Sequence, residues 1–124
     1  MLGSKKIIAF IPTNDPKKAK AFYQEVLGLR FIREDQFAVV FDANGTMLRV
    51  TIVPKFRPHP FTIAGWEVLN IEEVVVALEA KGVSFERFDF MEQDSHGIWT
   101  TSGGTKVAWF KDPDGNILSV SQHM

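Results

Sequence analysis

Hydrophobic residues recur with helical spacing between Asp15-Pro16 and Gly28, at Ala19, Phe22, Tyr23, Val26 and Leu27. An aspartate accepts hydrogen bonds from the free amides of a first helical turn. Proline at the first helical position costs no hydrogen bond, because an amide there would have no partner within the helix. Glycine accepts the left-handed conformation that commonly ends a helix. The pattern therefore predicts a helix over residues 16–27.

A second helical stripe begins after Asn70 and is formed by Ile71, Val74, Val75 and Leu78. Glu73 stands three residues after Asn70, which is the spacing of a capping box, and Gly82 follows the stripe. The β-branched run at residues 74–76 would also suit a strand. The capping residues at the two ends of the segment, Asn70 with Glu73 and Gly82, favour a helix over residues 71–81.

Both predicted helices lie within the same succession of strand-like segments. Short apolar runs precede them at residues 7–11 and 62–69, and GLRFIR (28–33) and GVSFER (82–87) follow them. Each half then ends in a predicted hairpin, residues 37–41 with 47–53 and residues 106–110 with 116–121. Three residues of the first hairpin recur in the second at a constant offset of 70, namely Gly45, Leu48 and Val50.

This repeat predicts one α+β domain over residues 1–124, built from two βαβββ modules. Module 1 covers about residues 5–53 and module 2 about residues 61–122, and a stiff segment with three prolines (54–60) joins them. Neither half is large enough to fold alone, so we expect a shared core. We expect a curved mixed sheet with each helix on its convex side and a cavity on its concave side.

Composition narrows the range of functions. The chain has no Cys, which excludes disulfides, thiolate nucleophiles and cysteine-bound metals. Its net charge of −1 gives no support for nucleic-acid binding, and no apolar stretch approaches the length of about 20 residues that crosses a membrane. We therefore expect a cytoplasmic protein. Eleven Phe and three Trp suit either an apolar core or an aromatic-lined cavity.

Two motifs are shared with a known family. The first helix reads DxxxAxxFYxxVLGL, from Asp15 to Leu29, and the second hairpin reads FxDPDGN, from Phe110 to Asn116. Together with the repeated βαβββ plan, they resemble the vicinal oxygen chelate superfamily of glyoxalase I, bleomycin-resistance proteins and extradiol dioxygenases. The resemblance implies the fold. It also implies, in the metal-dependent members, a divalent metal held by the first and last strands of each module.

The four positions that would hold this metal are Ile8, Arg49, Ile63 and Ser119. The two isoleucines have no donor atom, Arg49 would repel a cation, and serine is a poor ligand by itself. We therefore expect no metal and no other cofactor.

Arg49 is a candidate anchor for a carboxylate, phosphate or phenolate, unless it is an ordinary surface arginine. Trp66, Trp99 and Trp109 are candidate walls of a ligand cavity or else parts of the core. His96, two residues after Asp94, is a weak candidate for a general base in a loop.

These residues leave three functions open. The favoured one is metal-independent binding of a small aromatic or anionic molecule by the strand positions Ile8, Arg49, Ile63 and Ser119 together with the three tryptophans. The second is a glyoxalase-like lyase or dioxygenase-type enzyme with an atypical or absent metal site. The third is a ligand-sensing or partner-binding module. The resemblance also implies a homodimer.

Overall fold

Eight strands form two four-stranded mixed sheets in the computed structural model, which describes all 124 residues. The strands are β1 Ile8–Thr13, β2 Arg30–Glu34, β3 Ala38–Ala43, β4 Thr46–Ile52, β5 Thr62–Glu67, β6 Trp99–Thr100, β7 Lys106–Lys111 and β8 Ile117–Gln122. The helices are α1 Pro16–Ala21 and α2 Ile71–Ala80. The first sheet has the order β1-β4-β3-β2 and the second the order β5-β8-β7-β6. The α+β class and the two modules are thus confirmed.

The chain divides into two compact units, unit 1 (Met1–Arg57) and unit 2 (Pro58–Met124). The boundary between them falls inside the proline-containing segment 54–60. Each unit contains one complete sheet and its helix. Neither helix has the length and apolar character that a membrane crossing requires.

The first helix begins as predicted but consists of two parts. The Asp15 carboxylate accepts a hydrogen bond from the Lys18 amide at 3.2 Å, and α1 ends at Ala21. A wider π-helical turn, Phe22–Val26, continues it to Gly28, whose φ is +74°. This turn contains the fully buried Tyr23, whose ring lies 5.9 Å from that of Phe41 in the sheet.

The second helix confirms the prediction made from its ends. The Asn70 side chain accepts from the Glu73 amide at 3.2 Å, and the Ile71 amide donates to the Gln122 side chain at 2.9 Å. The second bond ties the start of α2 to β8. The apolar stripe of α2 is buried, and the helix terminates before Gly82, whose φ is +95°.

The internal repeat appears as one matching row of residues across each sheet. In unit 1 the cross-strand register aligns Ala9, Leu48, Phe41 and Phe31. In unit 2 it aligns Ala64, Leu118, Phe110 and Phe85. Leu48 and Leu118 are separated by the offset of 70 that the sequence shows.

The two units differ after this row. In unit 2, the predicted strand at residues 82–87 is reduced to a single bridge between Phe85 and Phe110, and the edge strand is the later β6. The Arg87 guanidinium donates to the carbonyls of Asp94 and Ser95, at 2.5 and 2.6 Å. Residues 86–98 therefore form a loop, which we call the aromatic loop because it contains Phe88 and Phe90.

Each sheet has one face covered by its helix and one open face. Leu48 and Val50 are buried on the helix side of unit 1, and Arg49 lies between them on the open side. Leu118 and Val120 are buried in the same way in unit 2. This alternation is the one that strand geometry produces, because successive side chains of a strand point to opposite faces of the sheet.

Candidate functional site

Arg49 lies at the centre of the open face of unit 1. Its cross-strand neighbours are Phe10 on β1 and Val40 on β3. The next row along the same face contains Ile8 and Met47. Arg49 is half-buried, and its guanidinium makes no hydrogen bond and no ion pair within the chain. The structure thus sets an unpaired cation among apolar side chains.

Asp35, in the turn before β3, is an acid that interacts electrostatically with Arg49. The pKa of Asp35 is lowered mainly by the Phe37 amide, at 2.8 Å, and the Ala38 amide, at 3.0 Å. The positive charges of Arg49 and Arg33 lower it further. Because one carboxylate oxygen of Asp35 accepts both amides, this acid is committed to its own turn.

An apolar cleft of about 310 Å³ lies next to Arg49 on the same face. Its lining includes Ile8, Ile32, Val40 and Met47. The acidic side chain at its rim, Asp42, already pairs with Arg30 at 3.7 Å and accepts from the Gly45 amide at 2.9 Å. The exposed Lys6 also lines the cleft and makes no ion pair. The cleft is therefore a largely apolar space with two free cations, Lys6 in its lining and Arg49 beside its lining residue Val40.

The open face of unit 2 is dominated by Trp109. Its indole nitrogen donates to the Thr62 hydroxyl at 3.0 Å. Trp109 is on β7 and Thr62 on β5, so the indole reaches across the intervening strand β8. The row beneath it contains only small residues, Ser119 and Gly65. A Cβ at position 65 would collide with the Ser119 hydroxyl, so this close approach requires glycine.

Other aromatic rings surround this indole. Trp99 is tilted by 34° with its ring centre 6.1 Å from that of Trp109. Phe88 stands perpendicular to Trp109 at 5.5 Å, and Phe90 follows at 5.7 Å from Phe88. Sequence reasoning missed Phe88 and Phe90, although the sequence FDF at residues 88–90 was a readable signal.

Gln93 holds the aromatic loop in shape. Its side-chain oxygen accepts from the Phe88 amide at 2.8 Å. Its side-chain nitrogen donates to the carbonyls of Glu86 and Gly97 at 2.9 and 2.7 Å. These three bonds fix the backbone next to Phe88 and so fix the ring against Trp109.

Trp66 does not lie with the other two tryptophans. Its cross-strand partner is Val120, which in turn pairs with Ala108, and both are buried on the helix side of the sheet. Ile63 has no cross-strand partner, because the register shifts between Thr62 and Ala64. The structure therefore brings together Ser119, Trp109 and Trp99, leaves Ile63 at a bulge, and separates Trp66 from this group.

His96 has a different partner from the one its sequence neighbourhood suggests. Its ring nitrogen Nδ1 lies 3.0 Å from the Glu79 carboxylate on α2, and only its backbone amide bonds to Asp94. Because α2 covers the other face of the sheet, the His96 ring is directed away from Trp109. It is also half-exposed, with no second group positioned for proton transfer.

The four positions implied for a metal do not fit one. Ile8 and Ile63 provide no donor atom, and Arg49 is a cation. Ser119 lies under the indole of Trp109, with 8% of its surface exposed. Elsewhere in the chain, no group of three His, Asp or Glu side chains is arranged to hold an ion. A three- or four-ligand site of the family type cannot be assembled from these residues.

The family model of the glyoxalase/bleomycin resistance protein/dioxygenase superfamily matches residues 7–120, so this chain belongs to that superfamily. No curated protein matches the chain at a significant level. The superfamily resemblance noted from the helix and hairpin motifs is confirmed.

Solved structures share the fold over almost the whole chain. A superfamily member from Sphaerobacter thermophilus aligns with a TM-score of 0.77 and 22% identity, over 99% of this chain and 100% of that one. A glyoxalase family protein from Enterococcus faecalis gives 0.74 and 23%, over 98% and 99%. A lactoylglutathione lyase from Agrobacterium tumefaciens gives 0.73 and 18%, over 95% and 93%. At these identities the likeness establishes the fold alone.

Proposed function

We propose that this protein binds a small anionic molecule on the open face of unit 1, without a metal ion. Arg49 is the observation that carries the proposal. A half-buried cation in apolar surroundings loses hydration, and an anion that pairs with it offsets that cost. The guanidinium of Arg49 has no such partner within the chain. Its planar array of donors matches a carboxylate or phosphate through two parallel hydrogen bonds.

The cleft next to Arg49 suggests that the same ligand also has an apolar part, which would occupy this cleft. Its volume of about 310 Å³ is at the lower end of the range for small-molecule sites, about 300–1,000 Å³. Ile8 and Met47 line it, and Val40 lies between it and Arg49. A compact aromatic or aliphatic acid would lie with its body in this cleft and its charge at Arg49.

The open face of unit 2 supports an aromatic ligand by a different route. Trp109 and Trp99 expose part of their rings there, and planar molecules stack well on such surfaces. Ser119, the cross-strand neighbour of Trp109, is included in this proposal.

Enzymatic activity of the lyase or dioxygenase type has less support. Those reactions stabilise charge through a bound metal ion, and the residues at the four family positions do not form a metal site. His96 contacts Glu79 on α2 and is directed away from the open face of unit 2, so it does not replace the metal there with acid–base chemistry.

The test is calorimetric titration with pairs of charged and uncharged probes in a buffer containing a chelator. The anions are benzoate, 2-naphthoate, octanoate and phenyl phosphate, each compared with its neutral amide or alcohol. We expect at least one anion to bind about tenfold more tightly than its neutral partner, and Arg49→Gln to remove that preference. Arg57→Gln is the matched control, because it removes the same charge from an exposed position of unit 1. Undiminished binding by Arg49→Gln, or binding only after metal is added, would refute the proposal.

A further inference from the structure

We propose that unit 2 contains a second binding site, for a planar aromatic cation. The site is a cavity of about 660 Å³ between the aromatic loop and β6, and Trp99 forms one of its walls. It lies entirely within unit 2 and uses neither Arg49 nor the cleft of unit 1. It shares Trp99 with the open face of unit 2, and it stands or fails separately from the anion site proposed at Arg49.

The charged groups that line this cavity are two carboxylates. Glu92 is exposed and makes no hydrogen bond and no ion pair. One oxygen of Asp94 accepts from the amides of His96 and Ile98, both at 2.9 Å, which fixes this negative charge at the cavity wall. No lysine or arginine is among the lining residues.

The other charged groups of the aromatic loop do not cancel these two acids. Arg87 is the one cation of the loop, and its guanidinium bonds to backbone carbonyls rather than to either carboxylate. Glu86 already pairs with Lys111 at 3.5 Å, and His96 pairs with Glu79 at 3.0 Å. The charge of Arg87 offsets one of the two lining carboxylates, and the second leaves the cavity with a net negative charge, which favours a cationic ligand.

The aromatic wall points to a flat cation rather than a simple ammonium or metal ion. Trp99 is the aromatic residue of the lining, and its ring is tilted by 34° from that of Trp109, with the ring centres 6.1 Å apart. The faces of aromatic rings carry negative electrostatic potential and attract cations, tryptophan most strongly. A planar cation would stack on Trp99 and leave its charge within reach of Glu92.

The distribution of charge between the units supports the same preference. Unit 2 carries four Lys and Arg against ten Asp and Glu, a net charge of −6, whereas unit 1 carries ten against five, a net charge of +5. The two nearly cancel in the total of −1. A positively charged ligand is therefore drawn to unit 2 and an anionic one to unit 1.

The cavity is also formed before any ligand arrives. Gln93 lines it and fixes the loop backbone through three hydrogen bonds, all between 2.7 and 2.9 Å. A ligand that enters does not have to order this wall, and binding is stronger when that entropy has already been lost.

The experiment compares three bicyclic probes of similar size and different charge. These are 1-methylquinolinium, neutral quinoline and 2-naphthoate, titrated at neutral pH and low salt and followed by quenching of tryptophan fluorescence and by calorimetry. The affinity for 2-naphthoate is measured on the Arg49→Gln variant, so that the anion site proposed for unit 1 does not contribute to it. We expect the cation to bind about tenfold more tightly than the neutral and anionic probes. We expect Glu92→Gln to weaken cation binding about threefold to tenfold and Trp99→Leu to weaken it at least about tenfold.

Matched controls separate this site from general effects of charge and folding. Glu73→Gln removes one negative charge from an exposed position on α2, and Trp66→Phe alters a tryptophan on the helix side; both should bind the cation like the wild type. If Trp99→Leu fails to fold, Glu92→Gln still decides, because Glu92 is exposed and unbonded. Equal affinity for all three probes, no binding of the cation, or an equal effect of Glu73→Gln would overturn the proposal.

Discussion

The Thr62 hydroxyl accepts a hydrogen bond from the indole nitrogen of Trp109 at 3.0 Å, although the two residues lie on strands separated by a third. The bond holds the indole across β8 and satisfies its only donor. A ligand that stacks on this face therefore meets an apolar surface with no indole N–H left to pair. Gly65 and Ser119 make the arrangement feasible because they add almost no height beneath the ring.

Thr62→Val keeps the shape of the side chain and removes the acceptor. We expect the free energy of unfolding to fall by about 1 kcal/mol, as for a typical hydrogen bond. The near-ultraviolet circular dichroism of the tryptophans should weaken, because Trp109 is then less well fixed. Thr46→Val is the control, since Thr46 is on β4 and makes no side-chain hydrogen bond. An unchanged tryptophan spectrum in Thr62→Val would show that the bond does not orient the ring.

Gln93→Leu should loosen the aromatic loop without unfolding unit 2. Three hydrogen bonds are lost and the side-chain volume is kept, so we expect a loss of about 2 kcal/mol. The Phe88 amide should exchange with solvent much faster, while the amides of α2 keep their protection. Gln36→Leu, at an exposed position of unit 1, serves as the control. Equal protection of Phe88 in variant and wild type would contradict the role assigned to Gln93.

Thr51→Val should stabilise the protein. The Thr51 hydroxyl is the one buried side-chain polar atom that has no hydrogen-bond partner. Replacing an unsatisfied buried hydroxyl by a methyl group of similar size removes its desolvation cost, and we expect a gain of about 1 kcal/mol. Chemical denaturation measures the change directly. A destabilised variant would indicate that the hydroxyl has a partner after all.

Asp35 should contribute to the acid sensitivity of unit 1. Its pKa in the folded protein is lowered by the amides of Phe37 and Ala38, followed by the charges of Arg49 and Arg33. A carboxylate with a lowered folded pKa stabilises fully above its ordinary pKa of about 3.9, and this stabilisation is lost as the pH falls through the folded value. Titration followed by carboxyl-carbon NMR should place the Asp35 midpoint below its ordinary value, and Arg49→Gln should raise it slightly. A midpoint at or above the ordinary value would contradict the turn geometry.

Local sequence signals predicted the helices and hairpins well, because short-range chemistry determines them. The side chains of Asp15 and Asn70 both cap their helices by accepting a hydrogen bond from the backbone amide three residues later. The repeat offset between Leu48 and Leu118 fixed which strand positions correspond in the two sheets. Successive side chains of a strand point to opposite faces of the sheet, so Arg49 lies on the face opposite to Leu48 and Val50.

Long-range packing decided what the sequence did not predict. Strict alternation from Thr62 would put Trp66 on the open face, but the bulge at Ile63 reverses the direction of every later side chain in β5. The ring partner of His96 is Glu79, seventeen residues earlier, rather than the nearby Asp94. The opposite charges of the two units were readable from the sequence and were hidden by the balanced total.

We propose that this member of the superfamily binds its ligand without a metal ion. The most direct measurement is the metal content of untagged protein by plasma mass spectrometry, before and after incubation with zinc, nickel, manganese and iron(II) salts and removal of unbound ions. The account predicts only trace metal in every sample, and affinity for the anionic probes that is unchanged by a chelator. One equivalent of metal per chain that a chelator removes, together with loss of binding, would contradict it.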